Sequence, residues 1–305
     1  MNSNGSAAPL KSIQSAGITL TTVASSNANG RAFEFLVVQQ LLEAGVAAGG
    51  KTDSSQRRDS RHVSALAPKV RQAFDQAAPK VVRWARSQLG TLADMEVRRL
   101  DDNSGSVADF VLLHNNHEVL RVSLKYNHDA LKHPRPYSFA QACGIAKGSS
   151  RDISHRAVLD VAVAPLRTAA MRTRRYLFRE HHAETRQCYD QVVHACAASL
   201  ANWSTVSSIP AKIFAFLVGT DYHKVILRPS APIVVEVQDF RSLEIPTSMA
   251  AEACGAYLKV RFDNGWEIHL RIHNAASRIP VSGSNQLPLK FDAQRVRGTV
   301  PLTYI

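Results

Sequence analysis

Residues 106–133, SVADFVLLHNNHEVLRVSLKYNHDALKH, decide the fold that we predict for this chain. Two runs of β-branched and apolar residues flank a polar stretch at residues 115–118, a pattern typical of a β-hairpin. The first predicted strand carries Asp109, and the second carries Ser123 and Lys125. Because side chains alternate between the faces of a strand, Ser123 and Lys125 point to the same face. An acid and a lysine on neighbouring strands can therefore converge on one metal-bound phosphate.

The residues before the hairpin predict the order helix, strand, hairpin. Four elements are expected: a helix at residues 31–44 that ends at Gly45, a polar loop at 49–62, a helix at 65–89 and a strand at 96–100. The first helix follows from apolar side chains at helical spacing and carries Glu34. Pro79 is expected to break or kink the second helix, because proline lacks the N–H group that a helix interior uses.

The residues after the hairpin predict more helix and then more strand. The expected elements are a helix start at residues 138–146, a basic and mostly helical region at 158–199, strands at 213–227 and 233–237, and a hairpin at 257–272. Asn264-Gly265 in that hairpin is the strongest short-range hairpin signal. We expect residues 1–26 to be poorly ordered, residues 27–200 to form an α/β core, and residues 201–305 to form a strand-rich part that helps to read DNA. Whether this last part is a separate domain stays open.

Five blocks of the sequence carry a family resemblance. They are residues 30–35 (GRAFEF), 125–128 (KYNH), 132–135 (KHPR), 266–277 (WEIHLRIHNAAS) and 288–292 (PLKFD). In order and character these blocks resemble the HaeIII-type restriction endonucleases, a lineage of PD-(D/E)XK nucleases that cut short, GC-rich palindromes in duplex DNA. The resemblance spans about residues 27–295 and implies an α/β fold: a PD-(D/E)XK core, with a mixed central sheet flanked by helices, and a strand-rich C-terminal part.

The chain departs from the PD-(D/E)XK pattern at two positions. Ser123 stands where the usual motif has Asp or Glu two residues before the lysine, and Val107-Ala108, rather than a proline, precedes Asp109. A serine cannot replace the charge of a carboxylate, so a second acid has to come from elsewhere. Glu34 on the first helix is the candidate, because PD-(D/E)XK cores often bring an acid from that helix to the metal.

The resemblance implies a catalytic set and a DNA-contacting set. The predicted catalytic residues are Asp109, Ser123, Lys125, Glu34 and Asn127, with Asp109 and Glu34 as Mg²⁺ ligands. Lys125 would orient or deprotonate the attacking water, or neutralise the phosphate. Asn127 shares the face of Lys125 if the strand continues that far. The predicted DNA contacts are His128, Lys132, Arg135, Arg271, His273, Asn274, Arg278 and Lys290, since arginine and asparagine give bidentate contacts with guanine and adenine.

Composition agrees with a nucleic-acid partner. The formal net charge is +12 and the isoelectric point is about 9.8, which favours binding to a polyphosphate through counterion release. Four cysteines without short paired spacing predict reduced thiols. The N-terminus lacks the apolar stretch of a signal peptide, and no apolar run reaches the ~18 residues that cross a bilayer, so we expect no membrane association and a location in the bacterial cytoplasm.

The sequence suggests two other site chemistries. His114, His117, Asn127 and His128 superficially resemble a His-Asn-His nuclease, but Pro134 and Pro136 disturb the helix which that fold requires. Cys188, His194 and Cys196 suggest zinc, yet no second close pair completes four ligands. No phosphate-binding glycine loop of the Walker type is present, so ATP hydrolysis is not implied.

We therefore expect a type II restriction endonuclease that cuts double-stranded DNA at a short palindrome, with GGCC as the candidate site. The expected cofactor is Mg²⁺, for which Mn²⁺ substitutes. A palindrome is most simply matched by a two-fold homodimer, and a DNA methyltransferase is the expected genetic partner. Two alternatives stay open. One is a repair or recombination nuclease with the same core. The other is a catalytically dead DNA-binding protein, because Ser123 stands where the motif has a carboxylate.

Overall fold

The computed structural model describes residues 26–100, 107–129, 131–280 and 286–305. The helices are α1 (Ser26–Glu43), α2 (Thr52–Ser64), α3 (Pro68–Leu89), α4 (Phe139–Ala142), α5 (Ser150–Thr173), α6 (His182–Trp203) and α7 (Ile209–Leu217). The strands are β1 (Ala47–Gly49), β2 (Met95–Arg99), β3 (Phe110–His114), β4 (His117–Tyr126), β5 (His223–Arg228), β6 (Val234–Asp239), β7 (Met249–Cys254), β8 (Tyr257–Phe262), β9 (Glu267–Asn274), β10 (Leu289–Arg297) and β11 (Leu302–Tyr304). Apart from Ser26, the predicted N-terminal segment lies outside the described residues.

The chain is an α/β protein with two sheets. The larger is a mixed, seven-stranded sheet with the order β1-β2-β3-β4-β5-β6-β11, and the smaller is antiparallel with the order β10-β9-β8-β7. Strands β2, β3 and β4 form an antiparallel meander, whereas β5 lies parallel to β4. A parallel neighbour needs a long crossover, and helices α4 to α7 provide it.

The hairpin at the centre of the larger sheet is confirmed. β3 and β4 pair antiparallel, and Asn115 and Asn116 between them have φ angles of 51° and 63°. Two consecutive residues of positive φ make the tight turn whose twist suits a hairpin, and asparagine tolerates that conformation. The turn is shorter than predicted, because His117 already begins β4. The first helix is also confirmed, and it ends before Gly45, whose φ of 92° suits glycine.

Two apolar cores hold the layers together. Helices α1 and α3 pack on one face of the larger sheet, where Phe33, Phe74, Leu112, Val122 and Val225 are buried. The second core joins α5, α6 and α7 to the inner face of the smaller sheet. The larger sheet takes β1 to β4 from before residue 200 and β5, β6 and β11 from after it, so its strands come from both of the predicted parts.

The loop predicted at residues 49–62 is wrong, because most of it is helix α2. The buried side of α2 consists of Thr52, Ser55, Gln56 and Asp59, which are polar residues at helical spacing. A search for apolar periodicity cannot find such a helix. These side chains are buried because their partners lie on another element: Thr52 Oγ1, for example, donates to the Val97 carbonyl of β2 at 2.9 Å.

Two other predicted elements need correction. Residues 213–217 belong to helix α7 and not to a strand. A short run of apolar residues fits a buried strand and a buried helix equally well, and Pro210 in the first turn favours the helix. Pro79 does not break helix α3, which continues past it to Leu89, so of the predicted break or kink the break is wrong. No helix in the described ranges has both the length and the apolar composition needed to cross a membrane.

The packing of Phe74 gives a test of the first core. Its ring lies 5.0 Å from that of Phe33 and 5.0 Å from that of Tyr126, and its side chain is fully buried. We expect Phe74→Ala to lower the free energy of unfolding by about 3–5 kcal/mol, because it leaves a cavity. The control Val161→Ala removes methyl groups from a residue that is 74% exposed. It should change the free energy of unfolding by less than about 0.5 kcal/mol. Urea unfolding measures both, and equal losses would contradict this packing.

Candidate active site

One oxygen of Asp109 organises the residues at the start of the hairpin. Asp109 lies just before β3, and its Oδ2 accepts hydrogen bonds from Ser123 Oγ at 3.1 Å, from the Leu124 N–H at 2.6 Å and from Lys125 Nζ at 3.3 Å. Ser123 is buried, whereas about a fifth of the side chains of Asp109 and Lys125 is exposed. The structure therefore places an anchored carboxylate and a lysine at the protein surface, within reach of a ligand.

Glu34 adds a second carboxylate to this site from helix α1. Burial, and secondly the negative charge of Asp109, raise the pKa of Glu34 to about 7 against the opposing charges of Arg99 and Arg31. Its Oε2 accepts from Arg99 Nη2 at 2.5 Å and lies 3.5 Å from Arg31 Nη1. Because the charge of Asp109 acts on Glu34, the two acids share one electrostatic environment.

Arg99 compensates the charge of Glu34, a role that the sequence did not reveal. It ends β2, its side chain is only 3% exposed, and it contacts Asp59 Oδ2 at 3.0 Å and Gln56 Oε1 at 3.2 Å through Nη1. Burial alone would raise the pKa of Asp59, but the hydrogen bond from Arg58 and the charge of Arg99 lower it. One buried guanidinium thus holds α1 and α2 against the sheet and orients Glu34.

The oxygen donors fit a hard divalent cation. Within the described residues, no group of three or more His, Cys, Asp and Glu side chains is placed to hold a metal. Mg²⁺ does not need such a group, because it is usually held by one or two carboxylates together with waters and substrate phosphates. Burial is the main cause of the raised pKa of Glu34, and the charge of Asp109 adds to it, so a cation bound beside both carboxylates would lower that pKa.

Asn127 does not continue the strand, so the predicted sharing of a face with Lys125 is wrong. β4 ends at Tyr126, and Asn127 has a φ of 56°, which turns the backbone away from the strand. Its N–H donates to the Leu227 carbonyl of β5 at 2.9 Å. His128 remains close to the site: burial lowers its pKa, and the charges of Lys125 and Lys224 lower it further.

The predicted DNA contacts fall into separate groups. His273 Nδ1 lies 3.3 Å and Lys290 Nζ 4.0 Å from the carboxylate of Asp292, on the outward face of the smaller sheet. Arg271, in register with Asp292, and Arg135 and Arg278 are exposed.

Two of these residues have structural contacts instead of an open position. Lys132 Nζ lies 4.6 Å from the centre of the Phe216 ring, and burial lowers its pKa. Asn274 accepts a hydrogen bond from Tyr189 Oη at 3.1 Å and donates to the Ala276 carbonyl at 2.6 Å. Because the oxygen and the nitrogen of the Asn274 amide are both hydrogen-bonded, one of these bonds has to break before the amide can contact a base.

The residues of the two rival chemistries are placed less favourably. His114 and His117 are exposed register partners on either side of the hairpin turn. Cys188 and Cys196 are buried in α6, whereas 64% of the His194 side chain is exposed. Burial raises the pKa of the Cys188 thiol to about 12, which opposes the thiolate that zinc requires.

The fold and the site define an α/β protein with a carboxylate–lysine pair on a mixed sheet and a second carboxylate from the first helix. A scan against protein-family models and searches of curated proteins and of solved structures found no match to this chain. The inference of function therefore depends on the geometry of these residues and on the resemblance of the sequence blocks.

The raised pKa of Glu34 predicts a pH dependence of stability. Between pH 4.5 and about 7 the folded protein holds a proton on Glu34 that the unfolded chain has lost. The free energy of unfolding should therefore fall as the pH rises through this range, and Glu34→Gln should remove that contribution. Glu43→Gln, on the exposed end of the same helix, is the matched control and should keep the wild-type slope. Urea unfolding at several pH values tests this, and parallel curves for wild type and Glu34→Gln would contradict it.

Proposed function

We propose that this protein is a type II restriction endonuclease of the PD-(D/E)XK kind, which hydrolyses double-stranded DNA with Mg²⁺ at a short, GC-rich palindrome. The observation that carries the proposal is the pairing of Lys125 Nζ with Asp109 Oδ2 at 3.3 Å. Glu34 supports it, because the negative charge of Asp109 is one of the causes that raise the pKa of Glu34. Together they supply the acid, the lysine and the second acid that the chemistry requires.

The order of the elements supports the same proposal. Helix α1 precedes strand β2 and the β3–β4 hairpin, with β1, α2 and α3 between α1 and β2, and helix, strand, hairpin is the order expected of a PD-(D/E)XK core. Glu34 comes from the helix, Asp109 from the start of the first hairpin strand and Lys125 from the second. Each residue of the proposed set therefore comes from the element that the resemblance assigns to it.

Phosphodiester hydrolysis needs a nucleophilic water, compensation of the charge that builds on the phosphate, and a stabilised leaving oxygen. A bound Mg²⁺ would supply positive charge to the phosphate and make a bound water more acidic. Lys125 is the cationic side chain in place to neutralise a phosphate oxygen or to orient the water. Ser123 and the Leu124 N–H hold Asp109 in a fixed orientation, so that no reorganisation is needed when the substrate binds.

A duplex partner accounts for other properties of the chain. The net charge of +12 favours a polyanion. A palindromic target calls for two copies of the site related by two-fold symmetry, so we propose a homodimer. The protein would act in the bacterial cytoplasm beside a DNA methyltransferase that protects the host sites.

Cleavage of plasmid DNA tests the proposal. We expect discrete fragments with Mg²⁺ or Mn²⁺, no cleavage in excess EDTA, and binding without cutting in Ca²⁺, because its looser coordination activates water poorly. A gel of plasmid digested under each condition measures this. Smeared products would indicate a repair or recombination nuclease, and binding without cutting in Mg²⁺ would indicate a DNA-binding protein that has lost catalysis. Undiminished cleavage in EDTA would exclude the metal-dependent mechanism.

Asp109 and Lys125 should differ in binding although both are needed for cleavage. Asp109→Asn removes negative charge next to the phosphate, so it should bind duplex as tightly as wild type, or more tightly, in EDTA. Lys125→Ala removes positive charge there, so it should weaken binding and lower the salt slope by about one contact. Lys69→Ala, at an exposed position on α3, is the control for loss of one charge. Mobility-shift titrations at two salt concentrations measure binding, and normal cleavage by both variants would make the hairpin purely structural.

A further inference from the structure

A second acid–lysine pair lies beside the first and includes an arginine. Asp129 Oδ1 accepts from Lys224 Nζ at 2.8 Å, and Asp129 Oδ2 accepts from Arg295 Nη2 at 2.5 Å. The three residues come from the segment after β4, from β5 and from β10 of the smaller sheet. Two cations share one carboxylate, so the group carries a net positive charge.

Strand register places this group next to Lys125. Lys224 is the partner of Ser123 across the parallel β4–β5 pair, so both side chains lie on the same face of the sheet. Asp129 follows Lys125 by four residues. Burial lowers the pKa of Lys224, the carboxylate of Asp129 opposes this, and the charges of Arg295 and Lys125 lower it further. The two acid–lysine pairs therefore lie within one charged region.

Arg295 is the more accessible of the two cations in the group, and Asp129 between them is about a quarter exposed. Only 2% of the Lys224 side chain is exposed, compared with 21% for Arg295. Arg295 has the same strand parity as the buried residues Phe291 and Ala293, so it lies on the inner side of β10. Its Cζ lies 5.6 Å from the centre of the Trp266 ring, and the register of β10 shifts just after it. A bulge of this kind re-aims a side chain next to a site.

We propose that Arg295 binds a backbone phosphate of the DNA beside the phosphate that Lys125 and Asp109 act on. This inference rests on the proposed function, because it takes duplex DNA as the ligand. A guanidinium carries five N–H donors, so the contact of Nη2 with Asp129 does not exhaust them. Asp129 and Trp266 hold the guanidinium in one orientation, and a pre-oriented group loses less conformational entropy on binding.

Lys224 is a positioning residue in this arrangement. Its buried ammonium fixes Asp129 Oδ1, and Asp129 in turn fixes Arg295. The excess of one positive charge in the group then remains for the phosphate. Arg295 belongs to the smaller sheet, so its contact with Asp129 links that sheet to the segment that follows β4.

The test measures binding of a short, labelled duplex that contains the cleavage site, in EDTA and over a series of salt concentrations. Fluorescence anisotropy gives the Kd. We expect Arg295→Gln to raise the Kd about tenfold and to reduce the slope of log Kd against log salt by about 0.9, the value for one lost phosphate contact. Arg295→Lys should keep the wild-type slope but bind several-fold more weakly, because an ammonium lacks the planar, bidentate geometry.

Arg241→Gln is the matched control. Arg241 also pairs with an aspartate, here through two hydrogen bonds to Asp239, which lines a cavity with Trp84 and His223 on the α3 side of the sheet. Its loss removes the same charge and should leave Kd and slope unchanged.

The possible outcomes distinguish a failure of the role given to Arg295 from a failure of the proposed function. If wild-type protein binds DNA and Arg295→Gln behaves like Arg241→Gln, the role of Arg295 is wrong while the proposed function stands. If wild-type protein does not bind duplex DNA, the proposed function fails and this inference fails with it. If Arg295→Gln loses its fold by circular dichroism, Arg295→Lys decides, and wild-type affinity in that variant overturns the inference.

Discussion

The site depends on one carboxylate oxygen that is held by the strand next to it. Asp109 Oδ2 accepts from a hydroxyl, a backbone N–H and an ammonium, all from three consecutive residues of β4. A partly buried carboxylate is stable only when its charge is compensated, and these donors provide the compensation. They also fix the start of β3 against β4, so the hairpin register and the position of Lys125 are set by the same contacts.

Arg99 meets a second constraint, which is to compensate the charge of two further carboxylates, one on each of the first two helices. Glu34 and Asp59 share its buried guanidinium, and α1 and α2 are thereby fixed to β2. Removing one partner from such a group would leave a buried charge without compensation, which costs several kcal/mol. The charge of Glu34 is nevertheless only partly compensated, as its raised pKa shows.

The parallel pairing of β4 and β5 extends the charged region over two adjacent strands. Ser123 and Lys224 are register partners, so the lysines of two acid–lysine pairs lie on adjacent strands. A parallel neighbour is possible only because α4 to α7 form the crossover, and β10 then brings Arg295 to the same place from the other sheet. Three basic residues, Lys125, Lys224 and Arg295, are thus brought together from elements distant in sequence.

The sequence alone determined the hairpin, the first helix and the closeness of Asp109, Ser123 and Lys125, because turn residues and strand alternation are local properties. It did not reveal α2, whose buried face is polar, or α7, whose apolar run suits either type of element. Arg99 pairs with Glu34 across 65 residues, Lys224 with Asp129 across 95, and Arg295 with Asp129 across 166. Only the tertiary structure decided these pairs, because a charged residue in a sequence carries no mark of the distant partner that compensates its charge when it is buried.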